Sequence, residues 1–246
     1  MANNLSSGPG SNVTNLKSLN AAVLGYGSSY NPTNQLITLQ ALQALYLLGL
    51  SAVNSVDALL PAYTNAKNAR ADAFYLLDKV STRIGNAFKA VVANEVAREH
   101  VRSLVLLIHS GRVNSKKSPR SESDSNAEPV KENASHKSGY DKQLENFNKL
   151  IQYLTSFPAY KPNEEDLTVE SLTAFYNDLT EKNQLVNTTE TQLNVARRQR
   201  ENVLDKPETG LVQLGNDSKS YVSSVFGARS PEYKQISKLK FRTYKR

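Results

Sequence analysis

Between Leu167 and Leu204 apolar side chains return on a seven-residue cycle: Leu172, Leu179, Val186 and Leu193, closed by Arg200. A second cycle starts three residues later, through Phe175, Lys182, Thr189, Ala196 and Val203. Alternating steps of three and four keep one seam of an α-helix turned toward a partner. No glycine or proline interrupts the stretch. It predicts one helix roughly 55 Å long, whose stability must come from packing along its length. Three seam members are polar, and two readings of them stand. Drift of a straight helix against a seven-residue repeat places Lys182, Thr189 and Arg200 at the seam's edge. Alternatively Arg200 is buried, paired with a carboxylate, and fixes register.

The first half of the chain repeats this pattern. A shift of 130 residues lays Tyr30 on Tyr160, Pro32 on Pro162, Thr38 on Thr168, Leu42 on Leu172 and Tyr46 on Tyr176. The same ungapped register continues through Val56/Val186, Arg70/Arg200, Gly85/Gly215, Asn86/Asn216, Lys89/Lys219 and Val92/Val222. So long a match in one register points to duplication of a helical unit. It makes Arg70 and Arg200 a candidate register pair, because they hold the same seam position. Pro32 and Pro162 precede the two long helices, where proline presets the chain. Thr33 or Asn34, and Asn163, are the expected caps. Glu164, Glu165 and Asp166 load the first turn with the charge its free amides favour.

The remaining pattern divides the chain. Residues 1–12 are small and polar and predict disorder. A short helix carried by Val13, Leu16, Leu19, Val23 and Leu24 should end at Gly25–Ser29. A helix follows from Leu36 to Leu60, which Pro61 should kink or break, with resumption over 65–78. A further helix is expected over 81–110, burying Ile84, Phe88, Val91, Val92, Val96, Leu104, Leu107 and Ile108. Residues 114–139 are rich in Ser, Lys, Glu, Pro and Asn and read as a linker without a core. After the breaker at Asp205–Gly210, a helix over 211–226 should return antiparallel. The segments are thus helical repeat 1 at 13–113, the linker, helical repeat 2 at 140–228 and a basic tail at 229–246. The predicted fold is all-α, an elongated antiparallel four-helix bundle of two tandem helical hairpins.

Composition narrows the chemistry. The chain lacks cysteine, which excludes disulfides, thiol nucleophiles and thiolate metal sites. Neither a phosphate loop nor a nucleophile elbow is present, and His100, His109 and His136 do not fall into a paired ligand motif. No catalytic, cofactor-binding or metal-binding residue is therefore assigned, and no cofactor or small-molecule substrate is expected. The amino-terminal sequence has neither the basic nor the apolar region of a secretory signal, so the expected compartment is the cytoplasm. No charged residue occurs between Lys17 and Asp57. Gln40, Gln43, Ser51 and Asn54 interrupt the apolar run, which favours a buried bundle helix over an oligomer-facing or membrane-inserting one.

Net charge is +7, and almost all of it lies at the carboxy terminus. Arg229, Lys234, Lys238, Lys240, Arg242, Lys245 and Arg246 are opposed only by Glu232. Aromatic residues interleave with these cations, as in tails that bind phosphate or single strands. The other reading docks Tyr233, Ile236, Leu239 and Phe241 on the bundle. The segment Gly227-Ala228-Arg229-Ser230-Pro231-Glu232-Tyr233 resembles the end of a group of bacterial helical proteins that close on Gly-x-x-Ser-x-x-Tyr and a basic tail. That resemblance implies an all-α fold and a bacterial origin, and it lends no activity. The favoured function is a non-enzymatic structural or protein-interaction bundle that self-associates or binds a helical partner. Nucleic-acid association through the tail, and membrane insertion of residues 36–56, are the alternatives.

Overall fold

The computed structural model describes residues 8–110 and 134–244. Among these residues there are seven α-helices, three short 3-10 turns and no strand. The chain is all-α. The helices are α1 (Pro9–Tyr26), α2 (Leu39–Val91), α3 (Glu95–Ser110), α4 (Ala134–Thr155), α5 (Val169–Leu204), α6 (Leu211–Phe226) and α7 (Pro231–Ser237). The sequence boundaries at residues 12 and 139 both fall inside helices, α1 and α4. Residues 111–133, which include most of the expected linker at 114–139, lie outside the described residues.

The two long helices begin alike. A 3-10 turn over Gln35–Ile37 leads into α2, and one over Glu165–Leu167 leads into α5. Just behind each turn a buried tyrosine reaches across it: Tyr30 donates to the Ile37 carbonyl at 2.7 Å and Tyr160 to the Leu167 carbonyl at 3.0 Å. The expected caps are displaced. Asn34 accepts from the Leu36 amide and so caps only the 3-10 turn. The helices themselves are capped by Thr38, whose Oγ1 accepts from the Ala41 amide, and by Thr168, which accepts from Ser171, both at 3.3 Å.

Pro61 neither breaks α2 nor ends it; the helix runs unbroken from Leu39 to Val91. A proline inside a helix costs about 3 kcal/mol through its missing donor and a clash with the preceding turn. Here the ring is on the exposed side, where the displaced carbonyl can meet water. The opposing seam passes Pro61 without a change of phase. Leu42, Gly49, Val56, Tyr63, Arg70, Leu77 and Ile84 are spaced by seven and all buried.

The helix expected over 81–110 is instead the end of α2 and a separate α3, parted at residues 92–94. Asn94 starts α3 by accepting from the Ala97 amide at 3.0 Å, and Arg98 Nε donates back to the Val92 carbonyl at 2.6 Å. The break resets the helical phase. Ala97, Val101, Leu104 and Ile108 face the core, while Val91, Val96 and Leu107, expected inside, are exposed.

The chain forms two compact units, each drawn from both the amino- and the carboxy-terminal half of the sequence. One comprises residues 1–61 and 191–246, the other residues 62–190. The first unit thus joins the start of α2 with the end of α5, and packs α1, α6 and α7 around them. Its core contains Val13, Leu16, Leu19, Leu42, Val53, Leu204, Leu211, Val222 and Ile236. Gly49 keeps α2 close to that core, since a Cβ there would lie 2.9 Å from Leu211 Cδ1. The second unit joins the end of α2 and the start of α5 with α3 and α4. Phe74, Leu77, Phe88, Val101, Phe147, Leu150, Leu172 and Leu179 fill its interior. The Phe88 ring meets Phe157 edge-on at 5.1 Å.

Candidate interaction surfaces

The carboxy-terminal segment starts from local signals. Gly227, at φ 91°, ends α6 in a conformation that suits a residue without Cβ, and its amide donates to the Ser223 carbonyl. Ser230 then caps α7 by accepting from the Tyr233 amide at 3.0 Å, and Pro231 takes the first helical position. The Gly-x-x-Ser-Pro-x-Tyr segment is thus a stop, a turn and a start.

Beyond α7 the chain has no regular secondary structure and is strapped to α1 and α6. Lys219 Nζ donates to the carbonyls of Ser237 at 3.1 Å and Leu239 at 2.6 Å. Asn15 donates to the Lys240 carbonyl at 2.8 Å. Asn12 donates to the Arg242 carbonyl at 2.8 Å and accepts the Arg242 amide at 3.1 Å, pairing as a strand would. Exposure alternates along the strap from Lys238 to Arg242. Phe241 is buried and Leu239 packs against the core, while Lys238, Lys240 and Arg242 are exposed. Tyr233 and Ile236 dock from α7. Arg229 and Lys234 are also exposed, whereas Lys245 and Arg246 lie outside the described residues. The cations are a fixed row on a docked segment. Nothing in the sequence marked Asn12 and Asn15 as its clasps, because their partners are backbone atoms more than 200 residues away.

Arg70 and Arg200 are both interior, at 1% and 7% exposure. Arg70 Nη1 donates to Asn183 Oδ1 at 3.1 Å, and its guanidinium lies 4.2 Å from the centre of the Tyr140 ring. Asn183 in turn donates to Asp141 at 2.8 Å, so side chains of α2, α4 and α5 share one polar network that runs from the buried Arg70 to the exposed Asp141. Arg200 acts on Asp205: burial pushes that carboxyl up, while the Thr243 hydrogen bond and the Arg200 charge hold it back.

The start of α2 presents a different surface. Its exposed positions include Gln43, Ala44, Leu47, Leu48, Ser51 and Ser55, with no charge before Asp57. Leu47 is 63% and Leu48 58% exposed. Residues expected to lie in a bundle interior are in part outside it. Among the described residues α2 contains the one stretch long and apolar enough to cross a membrane, and 17% of that stretch is buried.

In the second unit, α2 and α3 border a cavity of about 460 Å³. Gly85, Asn86 and Lys89 line one side, and Arg98, Glu99 and Arg102 the other. At its edge His109 Nε2 lies 3.0 Å from Ser81 Oγ and 3.2 Å from the Asp78 carbonyl. Ser81 is buried and its Oγ donates to that same carbonyl. One ring nitrogen serves both contacts, which tie α3 to α2. Among the described residues no group of three acidic or histidine side chains is placed to hold a metal ion. No protein family, curated protein or solved structure matches this chain.

Proposed function

We propose that this chain is a non-enzymatic helical interaction protein that associates with a second copy of itself through the uncharged face of α2. The observation that supports this is the exposure of Leu47 and Leu48 on a surface free of charge from Gln43 to Ser55. Exposed apolar residues gathered on one face suit contact better than solvation. A chain of net charge +7 repels its copies, and a patch without cations is where two copies can meet without opposing like charges. The same reading takes the chain as two tandem copies of one helical hairpin, in a four-helix bundle whose compact units each draw on both copies. The paired tyrosines, paired threonine caps and paired buried arginines support it.

Sedimentation velocity tests the proposal. The wild-type chain should sediment as a dimer or larger species, and Leu47→Asp with Leu48→Asp as a monomer of unchanged helix content. A wild-type chain that stays monomeric at high micromolar concentration rejects it. Leakage from anionic vesicles that the same substitutions abolish would instead favour membrane insertion.

A second reading, nucleic-acid binding through the tail, is favoured by the exposure of Arg229, Lys234, Lys238, Lys240 and Arg242. Its test is salt-dependent retention on single-stranded nucleic acid. Deletion is the wrong variant, because Phe241 belongs to the core. Lys238→Glu, Lys240→Glu and Arg242→Glu together remove the charge and keep the buried side chains.

A further inference from the structure

Each core is shared between the amino- and the carboxy-terminal half of the chain. In the first unit Val13, Leu16 and Leu42 share a cluster with Leu204, Leu211 and Val222. There Tyr26 meets Phe226 and Tyr30 meets Tyr221, with ring centres 5.2 Å and 5.1 Å apart. In the second unit Phe74 meets Tyr140 at 4.7 Å, and Gln143 Nε2 donates to the Ile108 carbonyl at 3.1 Å. Polar pairs fix the register: Asn12 with the Arg242 backbone in one unit, Arg70 with Asn183 in the other. Each half is thus a binding partner of the other.

The faces that meet are matched by size. A Cβ on Gly49 would lie 2.9 Å from Leu211 Cδ1 and 3.3 Å from Val13 Cγ2, so glycine is the hole that the Leu211 side chain requires. The 130-residue shift carries Gly49 to Leu179 and Leu211 back to Ser81, and both of these are wholly buried in the second unit. Small and large have changed places. If the chain is two copies of one hairpin, the reading on which this step rests, pairing like halves is penalised. Two amino-terminal halves would set Gly49 against Ser81 and leave a void. Two carboxy-terminal halves would set Leu179 against Leu211 and overlap. The buried guanidinium discriminates in the same sense. Asn183, the acceptor for Arg70, has as its counterpart the buried Val53, whose side chain accepts nothing.

We propose that these faces also join different molecules: the carboxy-terminal half of a second copy docks on the amino-terminal half of the first, and the exchange is reciprocal. The contacts in the exchanged pair are those of the single chain, so only the covalent link between the halves favours the closed form. Amino-terminal halves accept only carboxy-terminal halves, because the alternatives carry a void, an overlap or an unanswered charge. The surface is distinct from the uncharged face of α2, since Gly49 is buried where Leu47 and Leu48 are exposed.

Two full-length variants, Gly49→Leu and Leu211→Ala, test this when mixed in denaturant and refolded together at high micromolar concentration. Both also carry Leu47→Asp and Leu48→Asp, so association through the uncharged face of α2 does not enter the readout. An exchanged dimer brings the enlarged position 49 to the shortened position 211 and leaves its other pair native. Capture through two different tags and sedimentation should show this mixed dimer. Each variant refolded alone should stay monomeric and melt roughly 5–10 °C below the parent. Within one chain, Gly49→Leu with Leu211→Ala should melt above Gly49→Leu alone. Should Gly49→Leu not fold by itself, recovery of a folded mixed dimer is the same result. A mixture that yields only monomers overturns the proposal, and so does a double variant no more stable than Gly49→Leu. Ser81→Leu, rescued by Leu179→Ala, examines the counterpart positions. Failure there beside success at 49 and 211 overturns the two-copy reading and the rejection of like halves, and leaves the docking standing.

Discussion

Gly85 and Gly215 sit at the same place in the same pattern, yet a methyl group added to each should act in opposite directions. At Gly215 the new carbon would lie 2.8 Å from the Phe241 ring, and overpacking of this kind costs about 1–3 kcal/mol. At Gly85 the nearest atom is 3.6 Å away, and alanine in a helix interior is about 1 kcal/mol better than glycine. Thermal denaturation should therefore show Gly215→Ala less stable than wild type and Gly85→Ala more stable. Tyr160 gives a second residue-level test. Burial first, then the charges of Glu164 and Asp166, push its hydroxyl up to about 12. The folded state holds that proton more tightly than the unfolded chain, so its contribution is complete below about pH 10. It is lost as the pH rises from there toward 12. Difference absorbance between wild type and Tyr160→Phe should show the wild-type tyrosine ionising late. Loss of its bond to the Leu167 carbonyl should cost about 1 kcal/mol.

At the scale of elements, the starts of α2 and α5 carry testable content. Thr38→Ala and Thr168→Ala each remove an oxygen from an otherwise unpaired helical amide and should each cost about 1 kcal/mol by chemical denaturation. Thr168→Ala should cost somewhat more, since its hydroxyl also lies 3.0 Å from Ser171 Oγ, where α2 has Ala41. Next to the second cap, Asp166 pairs with Arg83, one of the two contacts measuring 3.0 Å. The Arg83 hydrogen bond and charge hold the Asp166 carboxyl below its usual value. Its contribution is therefore present above the ordinary carboxylate range and lost as the pH falls through the lowered folded value. Arg83→Gln should flatten the acid limb of a stability–pH profile, and an unchanged limb would show that the pair does nothing in solution. The long helix α5 was legible from its seven-residue cycle, and α6 from the breaker before it. Pro61 signals a break only when its neighbours are left out. The same cycle in α2, running in phase from Leu42 to Ile84, is a signal that the helix continues.

For the whole molecule, amide hydrogen exchange separates a docked tail from a loose one. The Arg242 amide, bound to Asn12 Oδ1 at 3.1 Å, should be protected, and Asn12→Ala should release it along with its neighbours. Periodicity determined that the chain is helical, where α5 lies and that Arg70 and Arg200 share a phase of the seven-residue cycle, because helical spacing is a local property that each stretch carries in itself. The charge row, too, was readable, since charge is additive along a chain. Tertiary structure decided the rest. It drew each compact unit from both halves of the sequence, buried the arginines, turned a basic tail into a docked strap and left Leu47 and Leu48 in the open. Those outcomes depend on which apolar faces meet, and a helix declares its stripe in its sequence without naming what will cover it.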